Sequence, residues 1–195
     1  NASQNTLAAE TDPRSVAIGD LNNDGKPEVV VVNYDNGAGY NLSIFKNTSV
    51  VGSEISFSPQ TTLDTGEGPS SIAIGDLDGD GKSEMAVTNY KSNKVSVFEN
   101  AYCDHEEISF KAAVDYHTGL HPVFVRIGDI DGDTKPELVI ANVSDNTISV
   151  LRNNSSTING VSFESRVDYV TSDIPRSVDI GDLDGDGKPD LVVTT

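Results

Sequence analysis

Four copies of one nine-residue acidic loop constrain this chain more than any other feature. They read Asp20-Leu-Asn-Asn-Asp-Gly-Lys-Pro-Glu28, Asp76-Leu-Asp-Gly-Asp-Gly-Lys-Ser-Glu84, Asp129-Ile-Asp-Gly-Asp-Thr-Lys-Pro-Glu137 and Asp182-Leu-Asp-Gly-Asp-Gly-Lys-Pro-Asp190. Their first residues lie 56, 53 and 53 positions apart. A fixed period of this size marks a chain assembled from one repeated supersecondary unit. The four loops hold 15 of the 31 Asp and Glu residues, so the acid is concentrated at the repeat and is not a general solubilising coat.

Around each loop the same strand pattern recurs. A segment opening at Pro13, Pro69, Pro122 and Pro175 alternates apolar residues, as at Val16 and Ile18 or Ile72 and Ile74, which predicts a short strand of period two. After the loop comes a dense apolar run, Val29 to Val32, Met85 to Val87, Leu138 to Ala141 and Leu191 to Val193. Such a run without alternation predicts a strand covered on both faces. A turn such as Lys91 to Lys94 leads to a third strand at 42–46, 95–99 and 148–152. A fourth is expected from Phe57, Phe110 and Phe163, each 12 residues before the next proline. Asn1 stands 12 residues before Pro13, so the chain is expected to open in a fourth strand.

The expected fold class is all-β: β-propeller blades of four antiparallel strands, three full repeats plus partial blades at both ends. The repeats run over about 13–68, 69–121, 122–174 and, in part, 175–195, with 1–12 as the outer strand of a preceding or exchanged blade. A β-sandwich with regularly spaced turns is the alternative, and recurrence at one period favours the propeller.

The loop residue types point to a hard cation. Oxygen groups at positions 1, 3, 5 and 9 repel one another as bare carboxylates unless a cation lies between them. Ca2+ takes six to eight oxygens on a flexible, glycine-containing loop. The candidate ligands are Asp20, Asn22, Asp24, Lys26 and Glu28 in the first loop, and Asp76, Asp78, Asp80, Lys82 and Glu84 in the second. Asp129, Asp131, Asp133, Lys135 and Glu137 serve in the third, and Asp182, Asp184, Asp186, Lys188 and Asp190 in the fourth. Each lysine is expected to offer its carbonyl alone, with its ammonium in water. Up to four structural Ca2+ follow, which would bring the formal charge of −18 to about −10. An EF-hand is excluded, because its position 12 needs a carboxylate and here holds Val31, Val87, Ile140 or Val193. Gly25, Gly81 and Gly187 occupy position 6, where positive φ suits glycine. Thr134 stands there in the third loop, so that site is expected to bind more weakly or to shift its backbone. Asn22 gives the first loop one charge fewer.

The run Val16-Ala-Ile-Gly-Asp-Leu-Asn-Asn-Asp-Gly-Lys-Pro-Glu-Val-Val-Val31, with its three counterparts, resembles the FG-GAP or VCBS-like repeat of integrin alpha-subunit propellers and many secreted microbial proteins. The resemblance covers nearly the whole chain. It implies propellers of typically seven blades with their calcium loops on one face. It also implies modules that bind proteins or glycans, or that stand as scaffolds beside a catalytic domain.

Composition bounds function further. The pI near 4.2 argues against nucleic acid and anionic membranes as partners. No apolar run approaches 18 residues, and no signal peptide is visible. The single Cys103 allows no internal disulfide, a staple that calcium replaces in extracellular modules. N-x-S/T acceptors stand at Asn1, Asn41, Asn47, Asn142, Asn153 and Asn154 as candidate glycosylation sites. His105, His117 and His121 are weighed as a transition-metal group against ordinary surface histidines. Gly37 and Gly39 read as a hairpin turn, and Tyr34 and Tyr90, beside Asn33 and Asn89, as packing at a blade end or as a sugar contact. No catalytic constellation is present, so a non-enzyme is expected: an extracellular module for protein or glycan recognition and adhesion. The alternatives are a filament or surface-layer subunit joined head to tail, and the scaffold domain of a secreted enzyme. Three and a half blades leave the ring unfinished. A longer propeller, a four-bladed ring closed by the first strand, or a homo-oligomer paired through open blade edges would each complete it.

Overall fold

The computed structural model describes residues 6–34, 39–102 and 107–195. Asn1, Gly37, Cys103 and His105 lie outside them. Among the described residues, fourteen strands form three four-stranded antiparallel sheets and one hairpin, each in simple sequence order. The first sheet holds β1 (Pro13–Gly19), β2 (Glu28–Asn33), β3 (Asn41–Phe45) and β4 (Thr61–Asp64). The second holds β5 (Pro69–Gly75), β6 (Glu84–Asn89), β7 (Lys94–Phe98) and β8 (Val114–His117). The third holds β9 (Pro122–Gly128), β10 (Glu137–Asn142), β11 (Thr147–Leu151) and β12 (Val167–Val170). β13 (Ser177–Gly181) and β14 (Asp190–Thr194) make the hairpin. The fold is all-β, as expected, and the sheets do not close into a ring.

The apolar pattern shows why the sheets stack as blades. In β6, Met85 and Val87 join a core with Leu21, Val30, Val32, Leu42 and Ile44 of the first sheet. Ala86 faces the other way, into a core with Val125, Leu138 and Ile140 of the third. In β10, Val139 and Ala141 pack against Val178 of the hairpin. The non-alternating runs of β6 and β10 are therefore middle strands sandwiched between two neighbours, and each fully buried Val, Leu or Ile contributes about 1.5–3 kcal/mol. The innermost strands approach closely. A Cβ added to Gly19 would lie 2.6 Å from Ile74 Cγ2, and one at Gly128 2.7 Å from Ile180 Cδ1. That contact accounts for the recurring Ile-Gly-Asp at the end of each inner strand.

Two expectations need correction. The fourth strands begin four residues after the phenylalanines, at Thr61, Val114 and Val167. Phe57, Phe110 and Phe163 instead make isolated bridges to Asn47, Asn100 and Asn153. Phe110 and Phe163 turn their rings against Phe98 and Tyr116, so an aromatic plug sits where a strand start was expected. Residues 6–12 form no strand.

Candidate metal loops and their partners

Each acidic loop joins the first two strands of its sheet and is wound by its own side chains. The position 1 aspartate accepts the N–H of position 6 at 2.8 Å from Gly25, and at 2.9 Å from Gly81, Thr134 and Gly187. The position 3 side chain accepts the N–H of position 5, with Asn22, Asp78, Asp131 and Asp184 each bonded in this way. The position 5 aspartate accepts the N–H of position 7 at 2.8–2.9 Å in all four loops. These turns curl the backbone so that position 4 also takes positive φ, at Asn23, Gly79, Gly132 and Gly185. The Asp-Gly pairs signalled that second left-handed residue.

The position 9 side chain closes the loop from below. Glu28, Glu84 and Glu137 are buried. They accept the N–H of Leu21, Leu77 and Ile130 at 2.8, 2.8 and 3.0 Å. Their other oxygens accept from the backbone of Asn47, Asn100 and Asn153 at 3.3–3.4 Å. In the fourth loop Asp190 accepts from Leu183 at 3.0 Å. Oxygens of Asp76, Asp78 and Glu84 lie within 4.8 Å of one another, as do those of Asp129, Asp131 and Glu137, and of Asp182, Asp184 and Asp190. The position 5 aspartates are not in these close groups. Lys82 departs from expectation, because its Nζ sits 3.2 Å from Asp80 instead of standing free in water.

Burial acts on these acids as the absence of a counter-charge would. It pushes the Glu84 carboxyl up to about 8, against the N–H groups of Leu77 and Asn100 and with the charges of Asp78 and Asp80. Glu28, Glu137 and Asp78 move in the same direction, burial again the main cause.

The loops are linked across sheets by residues whose part the sequence reading missed. Asn100 Nδ2 donates to Ser83 O at 3.0 Å in its own sheet and to Leu21 O at 2.8 Å in the preceding loop. Asn153 Nδ2 repeats this with Pro136 O and Leu77 O, both at 2.8 Å. Asn47 Nδ2 bonds Pro27 O at 3.0 Å. Spacing of 53 between these three asparagines was the available signal. Asn47 and Asn153 are also candidate glycan acceptors by sequence. Asn153, 2% exposed, and Asn142, 0% exposed, spend their amide nitrogens on buried bonds, so both are corrected to structural residues. Asn41 and Asn47 are half-buried and Asn154 is exposed.

The other candidates separate. Neither His117 nor His121 belongs to a metal-ligating group among the described residues. His121 stacks on Tyr90 at 4.3 Å and bonds Ser144 Oγ at 2.6 Å. Asn33, Asn89 and Asn142 each donate to a buried serine, Ser43, Ser96 and Ser149, at 2.8–2.9 Å.

A family model described as FG-GAP-like repeat matches residues 20–87, 77–140 and 129–193. The chain belongs to the FG-GAP-like repeat family. Each match begins at or beside the first aspartate of a loop and ends in the middle strand of the following sheet, so the family unit spans the very contact that joins two sheets. The chain is also 30% identical over 132 residues to a T-cell immunomodulatory protein homolog of Plasmodium falciparum (isolate 3D7). That similarity takes in 63% of this chain and 18% of the relative's length.

Proposed function

We propose that this FG-GAP-like chain is a non-catalytic, extracellular binding module whose repeat loops each hold one structural Ca2+. The observation that carries the metal is the convergence of carboxylates from positions 1, 3 and 9 in the second, third and fourth loops, the position 9 group being a buried glutamate in the second and third. The donors suit a hard ion: all are oxygens, from carboxylates, the Asn22 amide and the position 7 carbonyl of Lys26, Lys82, Lys135 or Lys188. Such an ion would neutralise the cluster and fix the strand-to-strand connection, so binding and folding are one equilibrium. Extracellular calcium, at millimolar levels, would keep even weak sites filled. The test is a thermal melt with Ca2+ and with chelator. A marked rise in melting temperature with Ca2+ is expected, and an unchanged melt would contradict the metal.

Assembly is a second reading, favoured by the end faces. Val16 and Ile18 are 61% and 67% exposed, whereas Ile72, the counterpart of Val16 in the next sheet, is 6% exposed. Leu183, Leu191 and Val192 are exposed at the opposite end. Both faces carry the residues that elsewhere pack sheet on sheet, so a further blade would fit either. Sedimentation of the chain and of Val16→Asp tests self-association through that surface: a monomer in both cases would end this reading.

A further inference from the structure

The end of the sheets opposite the acidic loops carries a different chemistry. The residue after the first proline of each inner strand is Arg14, Ser70, Val123 and Arg176. In β1, β5 and β9 the pairing register shifts at this residue, which leaves Arg14, Ser70 and Val123 out of the ladder. Bulges of this kind re-aim a side chain and are frequent beside binding sites. Here the four residues converge with Tyr34 and Tyr90 on one cavity of about 440 Å³, within the range of small-ligand pockets.

Arg14 and the neighbouring Lys91 are held in place by the tyrosines. The Arg14 guanidinium lies 4.7 Å from the centre of the Tyr34 ring and bonds Asp12 at 2.8 Å. Lys91 Nζ sits 4.9 Å from the same ring and donates to the Tyr40 hydroxyl at 3.0 Å. Arg176 makes no ion pair with any described residue. Ser70 Oγ bonds Pro122 O at 2.8 Å and ties the second sheet to the third, so it shapes the wall.

We propose that this mouth binds a sugar acid, a pyranose-sized body carrying a single carboxylate. The guanidinium groups of Arg14 and Arg176 match a carboxylate in bidentate geometry. The tyrosines, apolar in the ring and polar at the tip, suit a body with both C–H faces and hydroxyls. The cavity is far larger than a carboxylate alone requires. A net charge of −18 repels polyanions at long range, which selects a ligand of low charge over a sulfated chain. This proposal rests on the reading of the chain as a binding module and is independent of calcium.

The experiment is calorimetric titration of the calcium-loaded chain with D-glucuronate, D-glucose, acetate and heparin. Saturable binding of glucuronate is expected, with Arg14→Gln and Arg176→Gln each weakening it about tenfold. Both side chains are exposed, so circular dichroism of the two variants should match the parent. Arg176→Lys should recover part of the loss. Equal binding of glucose would show that the carboxylate is not read, and equal binding of acetate that the ring is not. Tighter binding of heparin, or glucuronate binding untouched in the Arg14→Gln/Arg176→Gln double variant, would likewise overturn the site. Calcium-dependent melting with no glucuronate binding at millimolar concentration would sink this site alone. Glucuronate binding with chelator-insensitive melting would sink the calcium reading and leave the mouth standing.

Discussion

The second and third loops have the same backbone hydrogen bonds around the same carboxylates, and they differ at position 6, in the residue beyond the third strand and in Lys82, which pairs with Asp80 in the second. At position 6, Gly81 and Thr134 both take positive φ, 83° and 72°. Thr134 therefore keeps the backbone of its siblings and accepts the strain, and the alternative of a shifted loop is not taken. Beyond the third strand, Glu99 lies near the second loop and adds to the negative field on Asp78. Its counterpart Arg152 places NH2 2.8 Å from Asp131 and 3.6 Å from Asp133 in the third. One loop gains a carboxylate, itself paired with Lys111, and the other gains a guanidinium that occupies two candidate ligands. Backbone recurrence thus makes four similar cradles, and single surface residues would grade the affinity of the proposed sites for a cation.

The largest separation should come from the buried glutamates. Glu84→Ala would strip the second loop of its floor and leave the Leu77 and Asn100 N–H groups unpaired, a loss of about 3 kcal/mol in denaturant unfolding. Glu137→Ala should cost a similar amount without calcium but less with it, if the guanidinium of Arg152 makes the third loop the weaker proposed site. Acidity probes the same groups. The folded, metal-free chain holds a proton on Glu84 more tightly than the unfolded chain does, with a carboxyl at about 8 against 4.5. Stability from that proton is full below pH 4.5 and is lost as pH rises through about 8. Chelated protein should therefore melt at a lower temperature at pH 8 than at pH 5, and the gain from Ca2+ should grow over that interval.

Smaller differences test the connections. Asn100→Ala removes Nδ2 bonds to two loops and should cost about 2 kcal/mol, whereas Asn47→Ala, whose Nδ2 donates to Pro27 O in its own loop, should cost about 1. Equal losses would deny the cross-sheet link. Thr134→Gly should stabilise the chain by about 0.5–1 kcal/mol, the relief of positive φ less the entropy that glycine brings. Arg152→Ala should tighten the third site about twofold to fivefold in a calcium titration, the scale of an exposed ion pair.

Much of this was legible in the sequence because the repeat displays it four times. Period-two alternation at Ile72 and Ile74 and the apolar run at Leu138 gave strand type and burial, and the loop spacing gave the carboxylate clusters. The fourth strands were displaced because a phenylalanine near a strand reads as part of it, while Phe110 and Phe163 are plugs in a connecting segment. The asparagine links were hidden by a competing pattern: Asn47 and Asn153 each open an N-x-S/T acceptor motif, and only the tertiary hydrogen bonds show where their amides are spent. The place of Arg14 at the mouth needed the register, since no local pattern announces which residue a bulge will leave out of the ladder.

The most direct measurement is a high-resolution crystal structure grown in millimolar Ca2+, with anomalous density located at the loops. The expected result is an ion in each loop contacted by positions 1, 3 and 9, strongest at the Asp76, Asp78 and Glu84 group and weaker at Asp129, Asp131 and Glu137. Loops without anomalous density, with their acids still bonded only to their own backbone, would contradict it.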